Sequence, residues 1–198
     1  MAPTSVPPAD RSVRYLKRLV RTRLREHPFY TPPALTRDGE RLLDELDDIY
    51  HDIYRGRRRP RAAHALCDDY YIRRLGRGHA RTVHLLDEDN GYVRGGAYAL
   101  KLDHRIGEEG DNEDEVRGYD LIPDAAVKYF APIVDFADHF GWVLSAHSPA
   151  PGSRADVRWL EQRLSQHGLL VDDLSEPNVG YLEGHPVVLD WAAYISVP

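Results

Sequence analysis

The chain has 198 residues, enough for one sizeable domain or a small domain plus an extension. It is 42% hydrophobic and 29% charged, as expected of a globular protein, and its net charge of −6 argues against a general nucleic-acid binder while leaving local basic patches open. No apolar run approaches the roughly 20 residues of a membrane span. The first ten residues have no apolar leader, and the single cysteine, Cys67, excludes an internal disulfide and a cysteine metal cluster. These features suit a reducing, cytoplasmic setting, free or inside a larger assembly, with no membrane partner.

In chain order, residues 1–10 are rich in proline and alanine and predict disorder. Val13, Leu16, Leu19, Val20 and Leu24 recur at helical spacing among arginines and predict a helix over 11–27, which Pro28, Pro32 and Pro33 end. A second helix is expected over 36–55, with Leu42, Leu43, Leu46, Ile49, Ile53 and Tyr54 on one side. The following run, Arg55-Gly56-Arg57-Arg58-Arg59-Pro60-Arg61, reads as a solvated linker or an exposed basic turn. The chain thus divides into an N-terminal helical extension with a basic linker, 1–67, and a core, 68–198. The helices of the extension have apolar faces that fit a core or a protein partner.

Past residue 68 the pattern turns to short strands, expected at 70–75, 82–86 and 97–102, with a turn at Asp89-Asn90-Gly91. A helix over 112–122 and a hairpin of 133–136 with 142–146 follow. Ser148-Pro149-Ala150-Pro151-Gly152 forms a hinge-like connection, and a helix over 153–167 ends near Gly168. Two last strands, 179–182 and 186–189, meet at Glu183-Gly184.

Three segments carry chemistry. Gly76 and Gly78, between strands, let the backbone bend and approach phosphates, although paired glycines in hairpins usually serve only the turn. Lys101 ends an apolar strand; an edge lysine usually snorkels to solvent, but Glu115 opens the next helix and can pair with it. Asp173 and Asn178 lie five positions apart in a polar loop, and Asp190 directly follows an apolar strand, where a carboxylate is costly unless it meets a cation. Two aspartates and an asparagine make an oxygen-rich set suited to Mg²⁺. The ten histidines show no ligand spacing that suggests a metal site.

Gly76, Gly78 and Val83, with Arg81 in place of a third glycine, then Ala99 and Lys101, Glu115, Asp173-Leu174-Ser175-Glu176-Pro177-Asn178 and Asp190-Trp191-Ala192, resemble in order and separation the motifs of the protein kinase-like superfamily. The last triplet is closer to that of aminoglycoside phosphotransferase-like kinases. The resemblance covers about 68–198. It implies an α+β fold: a protein-kinase-like N-lobe antiparallel sheet plus helix, a very reduced C-lobe because the sequence ends soon after Asp190, and the N-terminal helical extension. It implies Mg-ATP as cofactor. Gly76 and Gly78 would cover the phosphates, Val83 and Ala99 would pack on adenine, Lys101 positioned by Glu115 would hold the α- and β-phosphates, Asn178 and Asp190 would bind Mg²⁺, and Asp173 would accept the acceptor's proton. The expected activity is transfer of the γ-phosphate to a protein or small-molecule hydroxyl. The alternative is a catalytically inactive, pseudokinase-like binding or scaffold module.

Overall fold

The computed structural model describes residues 12–104, 110–172, 174–191 and 195–196, the last pair through its backbone alone. The expectation of disorder for residues 1–10 lies outside these. The elements run α1 (Val13–Glu26), β1 (Ala34–Leu35), α2 (Arg37–Tyr54), α3 (Arg61–Asp69), β2 (Arg74–Arg77), β3 (Arg81–Leu86), β4 (Val93–Arg94), β5 (Tyr98–Asp103) and α4 (Asp111–Leu121). They continue with a 3₁₀ turn (Asp124–Tyr129), β6 (Ile133–Phe136), β7 (Trp142–Ala146), α5 (Arg154–Ser165), β8 (Leu170–Val171), a short 3₁₀ turn (Glu176–Asn178), β9 (Val179–Leu182), β10 (His185–Val188) and β11 (Ile195–Ser196). The fold is mixed α+β. Its centre is a five-stranded antiparallel sheet in the order β2-β3-β5-β7-β6.

Strand alternation explains how that sheet is used. On β5, Tyr98, Leu100 and Leu102 face one side, where Leu42, Leu46, Ile49 and Tyr50 of α2 and Ala63 and Cys67 of α3 bury them. Ala99, Lys101 and Asp103 take the opposite side. Helix α1 joins a separate core through Leu16 and Val20, packed with Val116 and Tyr119 of α4, Phe136 of β6 and residues of the C-terminal hairpin. The first 67 residues therefore supply side chains to both cores. A buried leucine contributes roughly 1.5–3 kcal/mol, so these helices are strongly held.

Local chemistry sets the element ends. Ser12 and Thr36 accept hydrogen bonds from the backbone amides of Tyr15 (3.3 Å) and Gly39 (3.1 Å) and cap α1 and α2. Ser153 and Asp156 form a reciprocal capping box on α5. Gly141, in the turn before β7, is a glycine for a packing reason: an added Cβ would lie 2.2 Å from the Tyr50 ring. Two sequence expectations shift. The stretch expected to be a linker or an exposed basic turn is exposed over 55–59, but it leads through Pro60 into an unexpected helix, α3, which begins at Arg61. The strand expected at 70–75 begins only at Arg74, because Tyr70 still bonds back to Leu66 (3.0 Å) and Tyr71 turns the chain with φ of 55°.

Between α3 and the sheet lies a polar layer. His64 of α3 stands 6.1 Å from His84 of β3 and 4.7 Å from His104, ring centre to ring centre, and His104 Nε2 meets Thr82 Oγ1 at 2.7 Å. Burial lowers the pKa of all three, and neighbouring imidazoles and Arg77 push His64 to about 4, with Asp68 opposing. His27 and His147 are lowered by burial as well. The folded state thus favours neutral imidazoles, while the unfolded chain takes up protons near pH 6.5. The stabilisation is complete above about pH 6.5 and is lost as the pH falls towards 4. Urea unfolding at pH 7.5 and pH 5.0 should show a lower midpoint at pH 5.0, and His64→Gln should shrink the difference.

Candidate functional site

The site begins with α4. Its N-terminus is held by Asn112, which is fully buried. The Asn112 side-chain amide donates to the carbonyls of Lys101 and Gly141, both at 3.2 Å, and its backbone N–H donates to Asp103 Oδ2 at 3.3 Å. The C-terminal end is held by Arg23 of α1. That guanidinium donates to the carbonyl oxygens of Tyr119 and Ile122 and meets Asp124 Oδ1 at 3.0 Å. A cation there satisfies carbonyls that lack helical partners and complements the helix dipole.

So fixed, α4 presents Glu115, which has no exposed surface. Lys101, 3% exposed, donates to both Glu115 oxygens at 2.7 and 2.9 Å and to the Leu189 carbonyl at 3.0 Å. Arg81 of β3, 4% exposed, donates to Glu115 Oε2 at 2.5 Å and also ion-pairs with Asp190. Two cations and two carboxylates therefore alternate: Lys101, Glu115, Arg81, Asp190. Burial opposes the charge on Arg81, but Glu115 and Asp190 outweigh it and raise its pKa above the ordinary value.

Trp191 closes this cluster from the C-terminal side. Its Nε1 donates to the Glu115 backbone carbonyl at 3.3 Å, its ring stacks on Tyr119 at 5.8 Å, and Lys101 Nζ sits 5.5 Å from its ring centre. The Leu189 amide donates to the Asn178 carbonyl at 2.8 Å, which ties the segment before Asp190 to the 3₁₀ turn that carries Asn178.

These residues border a cleft of about 440 Å³, the size of a small-molecule site. Leu75, Gly76, Val83, Ala99 and Lys101 come from the sheet, and Ser145 through Pro151 form one end. Pro177, Asn178, Leu189 and Asp190 lie opposite. The structure thus brings together Gly76, Val83, Ala99, Lys101, Asn178 and Asp190, with Glu115 behind Lys101. Gly78 stands in the β2–β3 turn, where its amide donates to the Arg81 carbonyl at 2.8 Å, and is not part of the cleft lining. Asp173 lies outside the described residues. Gly76 has an ordinary φ and no atom within 4 Å of where a Cβ would stand, so neither backbone strain nor packing calls for glycine there.

Arg81, Asn112, Arg23 and Trp191 are site residues that pattern reading misses as such. Arg81 was visible only as the residue in place of a third glycine. Nothing local in the sequence marks an asparagine or arginine as a clamp between elements 29 and 96 positions apart. A scan against protein-family models and a search of curated proteins both return no match to this chain.

The network sets an order of sensitivities. Glu115→Gln removes the carboxylate that two buried cations share, and loss of one partner of a buried ion pair costs about 3–5 kcal/mol. Arg81→Met leaves Lys101 still paired with Glu115, and the other carboxylate that loses a cation, Asp190, has a side chain that is 42% exposed rather than buried. Urea unfolding should therefore show Glu115→Gln as clearly the more destabilised of the two.

Proposed function

We propose that the protein is a Mg-ATP-dependent phosphotransferase of the protein kinase-like superfamily, acting on a protein or small-molecule hydroxyl. The observation that carries this reading is the Lys101–Glu115 pair at 2.7 Å beside a cleft that also holds Gly76, Val83, Ala99, Asn178 and Asp190. The five-stranded antiparallel sheet with α4 against it supports a kinase-like N-lobe. The segments bearing Asn178 and Asp190 then stand for the reduced C-lobe.

Each residue has work that suits its chemistry. Val83 and Ala99 offer apolar surface to a flat base. The bare backbone at Gly76 lets a phosphate approach closely. Lys101, oriented by two bonds to Glu115, presents a fixed cation to phosphate oxygens. The oxygens of Asn178 and Asp190 are hard donors on two hydrogen-bonded segments and fit a magnesium ion. Bound there, Mg²⁺ would neutralise charge on the phosphates. Asp173, whose role rests on the motif resemblance alone, would accept the proton of the acceptor hydroxyl.

One observation favours a second reading, a nucleotide-binding module without turnover. Arg81 already gives Asp190 the positive charge that a metal would supply. If that pair persists with nucleotide present, binding needs little Mg²⁺ and the phosphoryl group lacks its metal.

Thermal unfolding with ATP, with and without Mg²⁺, separates the readings. A ligand at about a hundred times its Kd adds roughly 2.7 kcal/mol, or on the order of 5–10 °C for a chain of this size. Under the enzyme reading, wild type shows a Mg-dependent rise that Asp190→Asn removes, Lys101→Ala binds more weakly while keeping its fold, and ATP turnover is lost in Asp173→Ala. A rise that ignores Mg²⁺ in wild type but requires it in Arg81→Met supports the second reading. No rise over a wide ATP range would sink both.

A further inference from the structure

Helix α1 has a second face that neither core nor cleft uses. Six of its fourteen residues are basic and its only acidic residue is the last, Glu26. Arg23 turns inward to α4, but Arg14, Arg18, Arg21 and Arg25 are all exposed. Their spacing of four, three and four residues places them in one row along the helix. Eleven residues at about 1.5 Å each make the row about 16 Å long. Among the described residues, no carboxylate pairs with any of the four. This row lines an open groove of about 1120 Å³ bounded by Asp138. The chain as a whole carries −6, so this is a local concentration of charge against the overall sign.

The row does not stand alone. Lys17 of α1 pairs with Asp138 at 2.6 Å, and the next residue, His139, stacks on Tyr54 at 4.7 Å. Tyr54 ends α2, is 60% exposed, and leads into the arginine run from Arg55 to Arg61. The turn at 138–139 therefore joins two arginine groups through an exposed aromatic pair.

We propose that this band binds the sugar–phosphate backbone of a nucleic acid. Its chemistry favours that partner over an acidic protein. Protein interfaces draw most of their energy from apolar anchors seated in pockets, whereas in α1 the fully buried Leu16 and Val20 point into the core and only the half-buried Val13, Tyr15 and Leu24 stand beside the arginines in the groove. A polyphosphate chain needs only regularly placed cations, which guanidinium groups provide with paired donors. A duplex presents one charge per about 1.7 Å of axis, so the row spans several phosphates. The exposed Tyr54–His139 pair offers stacking to an unpaired base. With the whole chain at −6, the residues outside the band sum to a negative charge, which disfavours binding elsewhere. The proposal does not depend on the nucleotide cleft.

The test uses the full chain and two fluorescein-labelled probes, a 20-base-pair DNA duplex and a 20-nucleotide single-stranded RNA, titrated by anisotropy from 50 to 200 mM KCl. Four phosphate contacts predict a log–log salt slope near −4 for the duplex, hence about a hundredfold loss of affinity over that range. R14Q/R18Q/R21Q/R25Q should make the slope shallower by roughly 3.6 and weaken binding at least tenfold at 50 mM. A control that removes the same charge elsewhere, R94Q/R154Q/R158Q/R163Q, should keep the wild-type slope. Unchanged melting temperatures would show that both variants fold, as expected for exposed helix positions. Tight, salt-sensitive binding to either probe that the α1 variant loses and the control keeps supports the proposal. Absence of binding to both probes at 50 mM, equal loss in the two variants, or binding of a poly-glutamate peptide as tight as that of the probes would overturn it.

Discussion

A carboxylate with no exposed surface can remain charged only if cations reach it, and Glu115 has two, Lys101 at 2.7 Å and Arg81 at 2.5 Å. Meeting that requirement fixes much else. Lys101 and Arg81 sit on adjacent paired strands, β5 and β3, at registers where both side chains leave the sheet on the same side. Helix α4 must then lie across that side with Glu115 one turn in from its N-terminus. Asn112 sets the depth of the near end and Arg23 holds the far end. The last link, Arg81 to Asp190, draws the C-terminal segment beneath the sheet and so gives the cleft its second wall.

The N-terminal helices follow from the same constraint. A five-stranded sheet with one polar, cleft-forming face needs its other face covered, and α2 and α3 cover it with Leu42, Leu46, Ile49, Ala63 and Cys67. Helix α1 does different work. Its inner row, Leu16, Val20 and Arg23, braces α4, the element that carries Glu115. Its outer row is a stripe of arginine. The helix that steadies the ion cluster therefore also presents a basic surface on its outer side.

Arg81 links the two candidate states of the cleft. As long as its guanidinium holds both Glu115 and Asp190, each of these carboxylates has a cation without a ligand. A magnesium ion at Asp190 would have to compete with a cation already in place, and an approaching phosphate would meet Lys101 already committed to Glu115. If the cleft takes Mg²⁺ as proposed, the ion's competitor for Asp190 is Arg81, the residue standing where kinase-like motifs carry a glycine.

Much of the fold was legible along the chain. Helices α2, α4 and α5, strands β3 and β5, and the β6–β7 hairpin lie within two residues of their expected places, because most have a clear apolar period with a cap or turn residue at an end, and α4, which lacks one, opens on a run of acidic residues. Helix α3 was not, since an arginine run with Gly56 and Pro60 looks like a linker until Ala63 and Cys67 find the sheet to pack on. The pairing of Lys101 with Glu115 could be proposed from spacing, as both lie within one strand–helix unit. The capture of Glu115 and Asp190 by Arg81, separated from it by 34 and 109 positions, could not. Periodicity and turn chemistry are local, so the sequence by itself determined the elements and the chemical types at their ends. Which charges neutralise one another is decided by distances of a few ångströms across the folded chain, and only the tertiary structure sets those.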